Sequence, residues 1–330
     1  MSRKLLFLGL MMISVMGFTQ QEIQYTNFMF SNMAFNPGYA GINRAICATA
    51  LYRQQWMGFS SSYGGDKGAP EDFYLTVESN LDLLHGGLGL TILKDKIGFE
   101  DNIAVRLAYS FHLNVGPGKL GIGLQAGMIN KKIDFSKFKP VDPGDPLLSS
   151  KNVETAMSFD MAFGAYYKID QVMYAGLSST QLTQSVAEFT SNIGSPEYKR
   201  HYFLYGGYYW QLPMAPNIVI NPNVMIKTDF VSAQYDINVL GWYNNAIYAG
   251  VTYRAIDAIA ILAGANIPQV PGLKGGVSYD ITTSSLGGKG SDGNGASKRR
   301  SFGSAEIYIN YCFEIVIKVK PERHKTVLFL

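Results

Sequence analysis

Between residues 231 and 254 the chain alternates apolar and polar positions in two runs with a break between them. Val231, Ala233, Tyr235, Ile237, Val239 and Gly241 share one phase, against Ser232, Gln234, Asp236, Asn238 and Leu240. After Tyr243, Asn244 and Asn245, the residues Ile247, Ala249, Val251 and Tyr253 oppose Tyr248, Gly250, Thr252 and Arg254. Alternate residues of a strand point to opposite faces, so the pattern predicts a hairpin with one apolar and one polar face. The same period recurs at 45–54, 73–79, 87–94, 103–113, 119–129, 158–167, 172–178, 202–210, 218–227, 258–264, 273–281 and 305–313. With the two limbs of the hairpin this makes about fourteen strands, an even number of the kind used by single-chain outer-membrane barrels. Connections after strands one, five, seven and thirteen are long, at 56–72, 132–157, 179–200 and 282–303, whereas those after even-numbered strands are short. A transmembrane barrel has this asymmetry, with short periplasmic turns and longer outside loops; a soluble sandwich has no reason for it. The fold expected is an all-β, antiparallel, up-and-down transmembrane β-barrel over 45–314. Ile103, Val105, Leu107, Ile237, Val239, Ile307 and Ile309 are expected to face lipid. Arg106, Gln234, Asp236, Asn238, Lys274 and Asp280 are expected to face the lumen.

The two ends do not follow this period. Arg3 and Lys4 precede a short apolar run to Phe18, which reads as a signal peptide over 1–19. The run is shorter than the ~20 apolar residues a spanning helix needs, and no Cys follows it for lipid attachment. Residues 20–44 are aperiodic and contain Asn36-Pro37-Gly38-Tyr39-Ala40-Gly41, so an ordered periplasmic or plug-like segment is expected there. Residues 315–330 form a basic tail, expected in the periplasm. Composition agrees with a barrel: 47% apolar, 13% aromatic and only 16% charged, against a usual charged share of about 25%. Without Arg3 and Lys4 the chain carries 26 Lys and Arg against 25 acidic residues. That near-neutral balance argues against nucleic acid as a partner.

Candidate chemistry is sparse. Ser110 and His112 share the lumen phase, but residues two apart on one strand make no catalytic triad without an orienting acid. His201 reads as part of a polar rim, His85 as a turn residue and His324 as part of the tail. None has the spacing of a zinc ligand set. Ser291-Asp292-Gly293-Asn294-Gly295 lacks the spaced carboxylates and closing Glu of a calcium loop and reads as a flexible surface loop. Asp142-Pro143-Gly144-Asp145-Pro146 is a kinked loop with two carboxylates, open to a cation or a partner contact. Gly87-Leu88-Gly89 and Gly121-Ile122-Gly123 lie inside strands and open no helix, so they suit a bent or crowded wall rather than phosphate. Lys298-Arg299-Arg300 is either a solvated run or a contact for lipopolysaccharide phosphates or an acidic partner. Trp56, Phe59, Trp210, Trp242 and Tyr243 lie near strand ends and are expected in the interfacial girdles. No cofactor or metal is expected. The only cysteines, Cys47 and Cys312, fall in the lumen phase of the first and last strands. Barrel closure makes those strands neighbours at the periplasmic end. A disulfide forms if the register brings the Cα atoms within about 7 Å; otherwise the two are small lumen residues that fit.

Several of these stretches resemble the PorP/SprF family of type IX secretion system outer-membrane proteins. Asn36, Pro37, Tyr39, Ala40 and Gly41 match the family's N-P-A-Y-A-G, with Gly38 in place of Ala. Tyr52, Arg53, Trp56, Gly58 and Phe59 match its L-Y-R-x-Q-W-x-G-F. His201-Tyr202, Gly207-Tyr208, Tyr253-Arg254, Asp257-Ala258 and Tyr279-Asp280 resemble shorter motifs, and Thr180-Gln181-Leu182 departs where a His-Leu pair is usual. The resemblance implies a non-enzymatic barrel of the Gram-negative outer membrane, required for secretion or surface attachment of specific adhesin-like cargo through the cargo's C-terminal signal domain. It further implies partnership with the type IX translocon, periplasmic lipoprotein components and gliding-motility machinery, among outer-membrane lipid or lipopolysaccharide. A passive porin or solute channel is the alternative.

Overall fold

A computed structural model describes residues 22–59, 68–138, 152–189, 195–284, 287–291, 297–299 and 301–313. The expected signal peptide and basic tail with His324 lie outside them, as do Asp142-Pro143-Gly144-Asp145-Pro146, most of the 291–295 run and Arg300. The wall consists of β1 (Ile46–Gln54), β2 (Glu71–Leu81), β3 (Gly86–Ile97), β4 (Glu100–Val115), β5 (Gly118–Asp134), β6 (Val153–Ile169) and β7 (Met173–Thr180). It continues with β8 (His201–Tyr208), β9 (Ala215–Thr228), β10 (Ala233–Tyr243), β11 (Ile247–Arg254), β12 (Ala258–Asn266), β13 (Leu273–Thr282) and β14 (Ser304–Phe313). Trp210–Leu212 prolongs β8 along β9. Every strand pairs antiparallel with its neighbours in sequence, and β14 pairs with β1 to close the barrel. No helix among the described residues is long and apolar enough to cross a membrane; the crossing is made by strands, which hydrogen-bond to one another around a closed sheet.

The alternation sorts as expected. Ile103, Val105, Leu107, Ile237, Val239, Ile307 and Ile309 are exposed on the outer surface, and Arg106, Asp236, Asn238 and Asp280 are buried inside. Gln234 and Lys274 are part-buried on the inner side. The strands run longer than the periodic cores of the sequence. β5 and β6 have 17 residues each, because their pairing continues beyond the periodic cores as far as Asp134↔Val153. Turns at 82–85, 116–117, 170–172, 213–214 and 244–246 mark the periplasmic end, and the long connections all lie at the other.

The lumen is not empty. Residues 22–44 enter it as three single 3-10 turns, Phe28–Phe30, Asn32–Ala34 and Pro37–Tyr39. The aperiodic segment is therefore a plug inside the barrel. Tyr25, Phe28, Met29, Met33, Phe35, Ala40 and Ile42 form one buried cluster with wall residues including Tyr74, Tyr166, Phe203, Leu240 and Tyr308.

Candidate functional site

The plug runs the height of the lumen. Near its outer end the Glu22 carbonyl accepts from Lys227 Nζ at 2.8 Å, close to the outer end of β9. Near its lower end Asn43 Oδ1 accepts from Lys168 Nζ at 2.9 Å, by the periplasmic turn after β6. The chain then passes directly into β1. Two sets of wall residues hold it, and they differ in kind.

The upper set is ionic. Arg53 of β1 reaches Asp280 of β13 at 2.8 Å and Glu306 of β14 at 3.1 Å. Arg254 of β11 reaches the same Asp280 oxygen at 3.2 Å and Asp236 of β10 at 3.2 Å. All five are at most 4% exposed. Plug residues complete the cluster: the Thr26 and Asn27 amides donate to the two Glu306 oxygens at 2.9 and 2.8 Å. The Thr26 hydroxyl donates to Asp280 Oδ2 at 2.8 Å and accepts from Arg53 Nη1 at 3.0 Å. Buried ions are costly unless paired and hydrogen-bonded. Here three carboxylates face two guanidiniums; plug N–H and O–H groups supply further hydrogen bonds to Asp280 and Glu306, while Gln234 of the wall donates to Asp236 at 3.0 Å. The cluster is complete only with the plug in place.

The middle of the plug is aromatic. Phe30 stacks on Tyr308 with centroids 4.7 Å apart and lies 5.2 Å from Tyr248. The Tyr248 and Tyr308 hydroxyls hydrogen-bond at 2.9 Å. A residual cavity of about 10 Å³ beside Ile23, Tyr25 and Lys227 has room for about one water.

The lower set combines glycine and strand backbone with single polar side chains. Asn36 Nδ2 donates to the Ala165 carbonyl of β6 at 2.9 Å, while its Oδ1 accepts from the Gly38 amide at 2.8 Å. Ser110 Oγ donates to the Gly38 carbonyl and His112 Nε2 to the Ala40 carbonyl, each at 2.9 Å. Glu78 Oε2 accepts from the Gly41 amide at 2.9 Å. Glycines of the wall let the turn lie this close. A Cβ on Gly121 would stand 2.1 Å from the Gly38 carbonyl oxygen, and one on Gly164 2.1 Å from Asn36 Oδ1. Gly41 itself has φ +67° and lies against Gly87, a conformation and a spacing that together select glycine. The strand glycines are thus the bed of the plug.

The structure brings several of the expected residues together. Asn36, Pro37, Ala40 and Gly41 sit on the glycine bed, and Tyr39 packs edge-on against Tyr166 at 5.0 Å. Arg53, Arg254 and Asp280, far apart in sequence, meet in the ionic cluster. The rest of the second motif diverges. Tyr52 faces lipid, with its hydroxyl donating to Gln54 at 3.1 Å. Trp56, Gly58 and Phe59 form a rim turn clasped to 302–304, with the Met57 amide on the Gly303 carbonyl at 2.7 Å. Phe302 packs where a Cβ on Gly58 would go. Cys47 lies directly opposite Cys312 in the β1–β14 register, and their sulfurs are bonded across Cα atoms 4.0 Å apart. Ser110 and His112 are both committed to plug carbonyls.

Two expectations are corrected. Trp242 is not a girdle residue: it is 8% exposed and faces the lumen, its ring 4.6 Å from that of Tyr248. Its strand phase, shared with Asn238 and Leu240, overrides its position near a strand end. His201 is buried rather than on an open rim, its Nδ1 within 2.9 Å of the Lys199 carbonyl and 3.2 Å of Gln181 Oε1. Thr26, Asn27, Glu78 and Glu306 were not singled out in the sequence. Only the lumen phase of the two glutamates signalled them.

Comparison with known proteins supplies the context. The model of a family described as "Type IX secretion system membrane protein PorP/SprF" matches residues 17–295. No curated protein matches the sequence. Among solved structures the chain is similar to the Ralstonia pickettii toluene transporter TbuX, at 9% identity over 84% of this chain and 91% of that one, TM-score 0.48. It is similar to a Pseudomonas aeruginosa FadL homologue, at 11% identity over 84% and 92%, TM-score 0.43. A third is the Acinetobacter baumannii outer membrane protein Omp33, at 7% identity over 82% and 99%, TM-score 0.42.

Proposed function

We propose, on the premise that this chain belongs to the PorP/SprF family of type IX secretion system membrane proteins in the Gram-negative outer membrane, that it is a plugged docking barrel rather than a conduit. In this reading it is not an enzyme. It serves secretion or surface attachment of a few specific cargo proteins by engaging their C-terminal domains outside its lumen, beside the translocon. The observation that carries the reading is the plug. A segment of the same chain fills the lumen from the outer to the periplasmic end, and its removal leaves Asp280 and Glu306 without the amides and hydroxyl of Thr26 and Asn27. A porin needs an open polar constriction; this lumen holds stacked aromatics and a buried ion cluster. Ser110 and His112, a hydroxyl and an imidazole two residues apart on β4, are both occupied in holding the plug.

Deleting the gene tests the reading. Surface display of one or a few secreted proteins is expected to be lost while uptake of small solutes continues. Display intact in the deletion strain, with the purified protein conducting like a general porin, overturns it.

A further inference from the structure

The lipid-facing wall is not evenly filled. Across β12, β13, β14 and β1 it is indented by a groove of about 500 Å³. The register sets its shape. In the row nearer the outer rim Ala305 lies between Gln54 and Tyr279. In the row beneath, Val277 lies between Ile307 and Ala263. All six belong to the outward phase of their strands. Ala305 and Ala263 supply only a methyl each, so the surface is low there between larger neighbours.

The groove lies in the outer leaflet. Tyr52 and Tyr279 line it near the outer ends of β1 and β13, with their hydroxyls bonded to Gln54 and to the Phe302 carbonyl. Tyrosines placed this way, ring in hydrocarbon and hydroxyl at a polar rim, mark the membrane interface. Around them Val277, Ile261 and Ile307 are 52%, 56% and 47% exposed and present only apolar side chains. Loop backbone is not stable in hydrocarbon, so an acyl chain is the filling that the surroundings supply. What stands above is charged. The connection 283–303 joins β13 to β14, two of the strands that line the groove, at their outer ends. It carries Lys289, Lys298, Arg299 and Arg300 against Asp292 alone. None of the other long connections, 55–70, 135–152 and 181–200, has more than one cation in excess. A ligand that suits both features has an acyl chain in the bilayer and a phosphate at its surface. In the outer leaflet of a Gram-negative outer membrane, lipopolysaccharide has both.

We propose that this groove is a lipopolysaccharide site: it seats one acyl chain of lipid A, and the cations of the connection above it meet the lipid A phosphates. Burial of the chain supplies affinity, and the charge above selects a phosphorylated lipid over a neutral one. The lipid site does not depend on the secretion role.

The test is photo-crosslinking of the full-length barrel in living cells. A benzophenone side chain replaces Val277 in the groove or, as the reference, Val105 of β4, a lipid-facing residue of similar exposure (46%) away from the groove. Lipopolysaccharide adducts, identified by immunoblot and by mass spectrometry of the attached lipid, are expected to be roughly tenfold more abundant at 277 than at 105. Ala305→Phe and Ala263→Phe each fill the groove and are expected to bring the adduct at 277 down to the level at 105. Lys298→Gln with Arg299→Gln is expected to lower the adduct at 277 several-fold and leave the level at 105 unchanged. The comparison of 277 with 105 in the otherwise unaltered barrel does not depend on any of these variants folding. Equal adducts at the two positions overturn the site. So do phospholipid adducts in place of lipopolysaccharide, and so do adducts with a protein, whether a second copy of the barrel or another membrane component. An adduct at 277 that the phenylalanines or the glutamines leave at the parental level also overturns it.

Discussion

The two ends of the plug are held by opposite chemistries. At the outer end, long charged side chains from β1, β10, β11, β13 and β14 reach inward, and Thr26 and Asn27 fill out their hydrogen bonding. At the periplasmic end the turn through Asn36 and Gly41 rests on glycine backbone, and Glu78, Ser110 and His112 each add one hydrogen bond to it. The difference is one of tolerance. An ionic clamp fails when one member is lost, because the others stay buried and uncompensated. A glycine bed fails when anything is added, because the colliding partner is backbone and cannot turn aside. The upper clamp is sensitive to deletion and the lower bed to insertion.

Arg53→Ala breaks the comparison most severely. Among the described residues Asp280 keeps only Arg254 and Glu306 loses its one cation, and the fold is expected to lose about 3–5 kcal/mol. Denaturant titration of the barrel in detergent reads this as a lower midpoint. Limited proteolysis should show the 22–30 segment cleaved while 36–44 stays protected. The Cys47–Cys312 bond lies at the periplasmic end, nearer the lower bed. Replacing both with Ser is expected to cost about 2–4 kcal/mol, and reductant is expected to lower the parent to the level of the double variant and leave that variant unchanged. Gly121→Val drives a branched side chain into the Gly38 carbonyl and is expected to cost about 1–3 kcal/mol, with protection lost at 36–44 rather than at 22–30. Asn36→Ala removes the bridge to β6 without adding bulk. It is expected to cost about 1 kcal/mol and to loosen the same segment less than Gly121→Val does.

The sequence carried the wall and not what the wall encloses. Strands between lipid and lumen must alternate, so Ile103 to Leu113 or Ile237 to Val239 can be read one by one, and the even count closes β14 on β1. That closure placed Cys47 and Cys312 on adjoining strands, while their pairing depended on register, which alternation does not encode. Aromatic identity misled at Trp242, where phase was the better guide. The plug was legible only as a loss of period. Its contacts are one-off hydrogen bonds from Thr26, Asn27 and Asn36, and nothing in their spacing announces a partner some 130 to 280 residues away. The strand glycines signalled a crowded wall; what crowds it became visible only with the plug beside it. Arg53, Arg254 and Asp280 stood in separate fragments of family motif, and only the closed sheet shows that they are one cluster.

The central claim is that the plug stays in place while cargo is handled outside the lumen, and tethering the plug tests it most directly. A Cβ built on Gly89 stands 3.4 Å from the Ala40 Cβ, and its closest obstacle is the flexible end of Met33. Cysteines at both positions therefore suit a disulfide. In a Cys47→Ser, Cys312→Ser background the A40C/G89C pair would lock plug to wall, with the bond verified by mass spectrometry of unreduced protein. Surface display of the dependent cargo is expected to equal that of the unlocked Ser background. Display abolished by the lock and restored by reductant would contradict the account and make the lumen the path of the cargo.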